Sequence, residues 1–237
     1  GCHTQMTVTV NPPPPALSRE KGCLACHVQH AAREKHLLSK PQRPLCFSCH
    51  AQTQVDLKKG VTHEPFVKDA CSVCHAAHGS NVAGMLNNRM ETVCYSCHID
   101  AEIKFTKTNT HQPVRNGQCD ACHRSHGAEK EDLLVRAADD PEMCRACHAD
   151  LMQPAEKGTH HPAFLAGECL KCHDVHGSNI PGMIVRKQGF LCSACHDMDP
   201  GPEIKDVKSR HDPVVDGQCT ACHSPHKAKL NDLLLAV

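Results

Sequence analysis

Apolar residues along this chain come in short clumps rather than in stripes. The clearest are five pairs, Leu37/Leu38, Met85/Leu86, Leu133/Leu134, Met183/Ile184 and Leu233/Leu234, which recur every 48 to 50 residues. Between them no segment keeps the alternation of a strand, and helical periodicity survives for a few turns at most, as over Lys130–Ala138. Pro and Gly interrupt the remainder. No stretch approaches the roughly 20 apolar residues that a membrane-spanning helix needs. The pattern predicts a mainly irregular chain with short α-helices.

The clumps belong to a larger repeat, whose period identifies a repeat architecture. From about residue 21 each unit reads His-x-Pro, Cys-x-x-Cys-His-x-x-His, an apolar pair, then a second Cys-x-x-Cys-His. The first unit has no leading His, because Pro15 stands in its place. Three units carry Gly two residues before the odd-motif Cys: Gly117, Gly167 and Gly217. Residues 1–20 stand apart. Gly1-Cys2 resembles the end of a lipoprotein signal, which makes Cys2 a candidate lipid anchor. The run Asn11–Pro15 predicts a stiff polyproline tether between that anchor and the body. The domain reading is therefore 1–20 anchor and tether, and 21–237 repeats.

Composition rules out an ordinary core. The 237 residues include no Trp, one Tyr (Tyr95) and five Phe, against 21 His and 16 Pro. Of the 19 Cys, 18 fall in nine Cys-x-x-Cys-His motifs. The cysteine pairs are Cys23/Cys26, Cys46/Cys49, Cys71/Cys74, Cys94/Cys97, Cys119/Cys122, Cys144/Cys147, Cys169/Cys172, Cys192/Cys195 and Cys219/Cys222. The histidines that follow are His27, His50, His75, His98, His123, His148, His173, His196 and His223. This is the attachment signature of c-type haem: two thiols add across the vinyl groups, and the adjacent imidazole binds iron from one face. A zinc ribbon tolerates the spacing of the first two pairs but does not require His after every second Cys. A disulfide framework does not favour nine identical two-residue gaps. Nine covalently attached haem c groups are the expectation, and stacked macrocycles would then form the apolar interior that side chains cannot.

Nine irons bound on both faces need nine further ligands. Two recurring sets supply that number. His30, His78, His126, His176 and His226 follow the odd motifs. His63, His111, His160 and His211 lead the His-x-Pro segments. At the third of these the Thr-His-x-Pro pattern selects His160, while the distance to Cys169 selects His161; His160 is taken here. Three residues apart on a helix, His75 and His78 would share a face and serve two neighbouring irons. Each His-x-Pro residue has enough chain to reach the haem of the motif that follows it. The iron of His27 lacks its leading His, and the nearby substitutes are His36 and His3; His36 is assigned. Met85 and Met183 stand where sister repeats have Leu and read as packing residues.

Charge follows from the cofactor. Lys plus Arg and Asp plus Glu are 26 each, so the polypeptide is neutral. Two propionates per haem would take the formal charge to about −9 with all irons ferric and about −18 with all ferrous. No basic block points to nucleic acid.

The segment His111–Gly127 and the Leu-Leu and Cys-x-x-Cys-His that follow it resemble multihaem cytochromes c with the doubled CXXCH motif, of the MtrA/DmsE electron-conduit type. The resemblance covers about residues 21–237. It implies an elongated, staggered row of haems that relays electrons without making or breaking substrate bonds. It also implies export, to the periplasm or to the outer membrane and cell surface. The partners it implies are redox proteins, extracellular electron acceptors, other multihaem cytochromes or an outer-membrane porin. Conduit relatives carry ten haems, and this chain has nine motifs. Two rival functions are a subunit of a self-assembling cytochrome filament and a multihaem reductase with an open position at the first iron.

Overall fold

The computed structural model describes residues 22–153, 158–197 and 208–236. The anchor, the proline tether, Cys2 and His3 lie outside the described residues. Contacts divide the chain into two units, Gly1–Ala101 with Gly117–Val135, and Glu102–Asn116 with Arg136–Val237.

The repeat is built from hydrogen-bonded loops. Each odd motif forms one short turn, for example Cys71–Cys74, closed when the His75 N–H donates to the Cys71 carbonyl at 2.9 Å. The chain does not continue as a helix through His-x-x-His, because His75 is extended at φ −112° and ψ 137°. It loops out and returns at the apolar pair, where Ala76 N–H donates to Met85 O at 2.7 Å and Asn87 N–H to Cys74 O at 2.8 Å. The same closure joins His27 to Leu38, His123 to Leu134, His173 to Ile184 and His223 to Leu234.

Two consecutive left-handed residues make the return turn: His36/Leu37, Gly84/Met85, Asp132/Leu133, Gly182/Met183 and Asp232/Leu233. The first position therefore favours Gly and Asp, which tolerate positive φ. The helix anticipated over Lys130–Ala138 does not form. Lys130 and Leu134 are extended, and only the turn Glu131–Leu133 lies between them, with Asp132 at φ 52°.

Even motifs sit on short helices: Gln42–Phe47, Met90–Tyr95, Pro141–Arg145 and Gln188–Cys192. The His-x-Pro segments start others, Glu64–Val67, Gln112–Arg115, Pro162–Leu165 and Asp212–Val215. Each carries Pro within its first two positions, where no N–H partner is lost.

Strands do occur, two residues long, in three antiparallel pairs. β1 (Val61–Thr62) pairs with β3 (Gly127–Ala128), β2 (Asn109–Thr110) with β5 (Gly177–Ser178), and β4 (Thr159–His160) with β6 (Lys227–Ala228). In each pair the strand before one His-x-Pro segment meets the strand after the second His of the following repeat. Period-2 patterning could not reveal elements this short.

Among the described residues only Ala128 and four glycines, Gly117, Gly127, Gly167 and Gly177, are buried. No described helix is long and apolar enough to cross a membrane.

Candidate haem sites

The return loop fixes the first imidazole of every odd motif. The Nδ1 atoms of His27, His75, His123, His173 and His223 each lie 2.8 Å from a backbone carbonyl, of His36, Gly84, Asp132, Gly182 and Asp232 respectively. A carbonyl only accepts, so Nδ1 carries the proton and Nε2 presents its lone pair. This is how metal-binding histidines are oriented.

Imidazole pairs follow in two series among the described residues. In one series the partner comes from the second His of the next repeat. His27 and His78 have ring centroids 6.0 Å apart, His75 and His126 6.0 Å, and His173 and His226 5.9 Å. In the other series the His-x-Pro residue meets the even motif of its own repeat. His63 and His98 are 6.1 Å apart, His111 and His148 6.1 Å, and His161 and His196 5.8 Å. A metal–imidazole bond of about 2 Å on each side, added to the offset of each nitrogen from its ring centre, spans about 6 Å. The pairs thus fit an iron whose other four ligands come from a macrocycle. No group of three or more His, Cys, Asp or Glu among the described residues is gathered around a metal position.

Three expectations from the sequence change. The ring opposite His27 is His78, not His36. His36 occupies the left-handed turn at φ 58° and contributes its carbonyl. The ring opposite His196 is His161, not His160. His160 lies in β4 at the register that Thr62 holds in β1, and His161 N–H donates to His226 O as His63 N–H does to His126 O. Finally, the rings of His63 and His111, expected at the motif that follows each, lie beside those of the even-motif histidines His98 and His148.

The remaining candidates stand as follows. Among the described residues no other histidine ring pairs with His30, His50, His211 or His223. His123 lies in the first unit, on the Asp132 carbonyl. His176 lies in the second unit and stacks on Phe105 at 3.9 Å and 11°.

The environment favours neutral imidazoles. Burial, followed by the neighbouring His75, lowers the pKa of His126, and burial with His173 lowers that of His226. Burial also lowers that of His111. Phe66 and Phe164 pack against His126 and His226 at 4.7 and 5.1 Å. Asp56 lies 3.7 Å from His126 Nδ1. Sequence reading passed over Asp56 and these phenylalanines, although Phe66 and Phe164 each stand three residues after an equivalent histidine, His63 and His161. The accepting carbonyls were visible only as the position that alternates among His, Gly and Asp.

None of the 18 motif cysteines forms a disulfide. The expected interior around them is not made by the polypeptide. Cys23, Cys49, Cys97, Cys147, Cys195 and Cys222 are exposed, and the others, Cys26 and Cys122 among them, are only half-buried. The second cysteine of a motif closes a single turn. Its N–H donates to the carbonyl of the first cysteine, at 3.2 Å for Cys26, 3.1 Å for Cys49, 3.3 Å for Cys122, 3.2 Å for Cys147 and 3.3 Å for Cys222. In odd motifs the return loop then docks on the second cysteine's carbonyl. Ser39, Val135 and Leu235 N–H groups donate to Cys26, Cys122 and Cys222 at 2.8, 2.9 and 2.9 Å. Cys49 and Cys147 instead lead into helices Ala51–Gln54 and Ala149–Met152. The Ser48 hydroxyl lies 3.9 Å from Cys49 Sγ.

The first cysteines are placed differently. Burial and the Cys71 thiol push Cys46 up to about 11, with a smaller contribution from Cys26. The Cys94 thiol donates to Cys119, which raises Cys94 and lowers Cys119 to about 7.

The fold and these paired imidazoles define a class of protein built to hold haem on Cys-x-x-Cys-His turns. The chain belongs to the doubled CXXCH motif family, which it matches over residues 16–55, 63–102, 111–153, 161–201 and 211–236. It is a multihaem c-type cytochrome, a class whose role is electron transfer. Comparison with curated proteins gave no significant match.

Proposed function

We propose that this cytochrome carries nine haem c groups and relays electrons along them, as conduit cytochromes of the MtrA/DmsE type do, without acting as an enzyme. The observation that carries the proposal is the set of imidazole pairs spaced at about 6 Å, each with one member on a Cys-x-x-Cys-His motif. Haem iron, when bound, supplies one-electron cycling between ferric and ferrous states. The protein's part is to hold the macrocycles and both imidazoles. Each motif's two thiols would take one haem, including the exposed Cys49, Cys147 and Cys222 and the half-buried Cys26 and Cys122, whose remaining cover the macrocycle would provide. His78, His126 and His226 would bind the irons of His27, His75 and His173, and His63, His111 and His161 those of His98, His148 and His196. Two histidine ligands give low-spin iron with potentials below those of Met/His sites. The His78 ring beside His27 supports a second imidazole at the first iron in preference to a reductase's open position. Export, the periplasmic or cell-surface location and redox partners there belong to this proposal as well.

The test is intact mass after acid denaturation. Nine covalent haem additions are expected; a mass matching the polypeptide with zinc, or with no addition, overturns the reading.

A further inference from the structure

A relay needs neighbouring attachment sites close together, and the fold distinguishes among neighbours. We infer that the tight couples of the relay form across repeats, joining the even motif of one to the odd motif of the next, and that the residue two places before the odd-motif cysteine holds them. The inference rests on the relay function proposed above and specifies its route.

The same junction recurs four times. At three of them a left-handed glycine lies directly against the helix of the preceding even motif. A Cβ on Gly117 would run into the Glu91 carboxylate, at the start of helix Met90–Tyr95. One on Gly167 would lie 2.8 Å from Pro141 Cβ, and one on Gly217 2.8 Å from the Gly189 Cα. Backbone hydrogen bonding reinforces the last, where Thr220 N–H donates to Gln188 Oε1 at 3.1 Å. At the fourth junction Asp69 replaces the glycine, keeps φ at 61°, and ion-pairs with Arg43 on helix Gln42–Phe47. Arg43 also donates to the Val67 carbonyl. Chemistry differs between these solutions, but each locks an even-motif helix against the approach to an odd motif.

The attachment sulfurs meet as a result. The thiols of Cys46, Cys94 and Cys192 lie beside those of Cys71, Cys119 and Cys219. Within a repeat, Cys26 and Cys46, Cys74 and Cys97, and Cys172 and Cys195 are electrostatic neighbours. The motifs Cys94/Cys97 and Cys192/Cys195 thus turn one cysteine toward the preceding motif and the other toward the following one, so the path follows sequence order within each unit. A thioether sulfur is bonded to the macrocycle's own side chain, so sulfur contact brings two macrocycle edges together. In each step one electron would pass from a ferrous iron to a ferric neighbour, oxidising the first and reducing the second. No bond forms or breaks, and external redox partners supply and remove the electron.

Two measurements on the holoprotein decide the matter. In its experimentally determined structure, the edge-to-edge gap between the haems on Cys94 and Cys119 should be smaller than that between the haems on Cys74 and Cys97; the opposite order overturns the inference. In solution, Gly167→Ala and Gly217→Ala should weaken the exciton couplet in Soret circular dichroism. Gly22→Ala, also left-handed at φ 45° but with nothing within 4 Å, should leave it unchanged. Wild-type couplets in the two junction variants overturn the inference. Haem number, read by mass on the same samples, fails independently if the relay function itself is wrong.

Discussion

At the scale of single residues, backbone conformation decides which histidine does what. His36 and His78 are both within reach of His27, yet His36 sits in a left-handed turn where its carbonyl is the useful group. His78→Ala should therefore convert one haem to high spin, seen by electron paramagnetic resonance. His36→Gly keeps both the turn and the carbonyl, so the spectrum should stay low-spin, and relief of positive φ should add roughly 0.5–1 kcal/mol of stability. High-spin iron in the His36 variant would return the ligand role to that residue. The same comparison applies one repeat from the C-terminal motif: His161→Ala should yield high-spin iron and His160→Ala should not, because β4 places His160 in a strand position. The attachment cysteines and first histidines were legible because haem attachment requires a fixed local spacing. How exposed Cys49, Cys147 and Cys222 would be was not legible, because spacing carries no information about what packs over a sulfur. The second imidazoles were legible as a set, from their recurrence, but not as partners. Pairing depends on hydrogen bonds between repeats, and the Thr-His-x-Pro pattern misleads where Pro162 falls one place earlier than Pro65 does.

At the scale of elements, the helices are too short to stand alone, since nucleation costs more than one or two turns return. They persist through end contacts. In helix Pro141–Arg145 the Asp140 carboxylate accepts from the Glu142 N–H at 3.0 Å, and the helix packs against Gly167. Asp140→Ala should cost about 1 kcal/mol, read as a lower denaturant midpoint of the holoprotein, while Asp140→Asn should restore most of it. An unchanged midpoint in the alanine variant would show that the junction, not the cap, holds this helix. The turns at Cys-x-x-Cys and the breaks at Pro and Gly could be anticipated from local chemistry. The two-residue strands and the paired left-handed residues could not. Met85, Leu133 and Met183 adopt positive φ against their own preference, because loop closure onto the motif imposes it. Gly117, Gly167 and Gly217 could be flagged by recurrence, but the helices they approach lie some 25 residues earlier in the chain.

At the scale of the whole molecule, the sequence's shortage of aromatic residues and the scarcity of buried side chains among the described residues express one fact. Side chains do not supply the interior, so the cofactor must, and its charge then dominates the protein's. Lys plus Arg balance Asp plus Glu at 26 each, and the sequence alone gives a pI near 7.4. Each haem adds two propionates with ordinary carboxylate titration, and ferric iron offsets only one net charge per macrocycle. Nothing in the polypeptide compensates for this, so the holoprotein should focus well below the sequence value. It should also move further toward the anode when dithionite reduces the irons, since each electron adds one negative charge. Native isoelectric focusing of oxidised and reduced samples measures both shifts. Focusing near neutrality in both states would mean that most propionates are buried and protonated, or that far fewer than nine haems are attached; the covalent mass separates these two causes. A low and redox-dependent isoelectric point would also bear on partners, because an anionic relay docks most readily on basic surfaces and does so less tightly as salt rises.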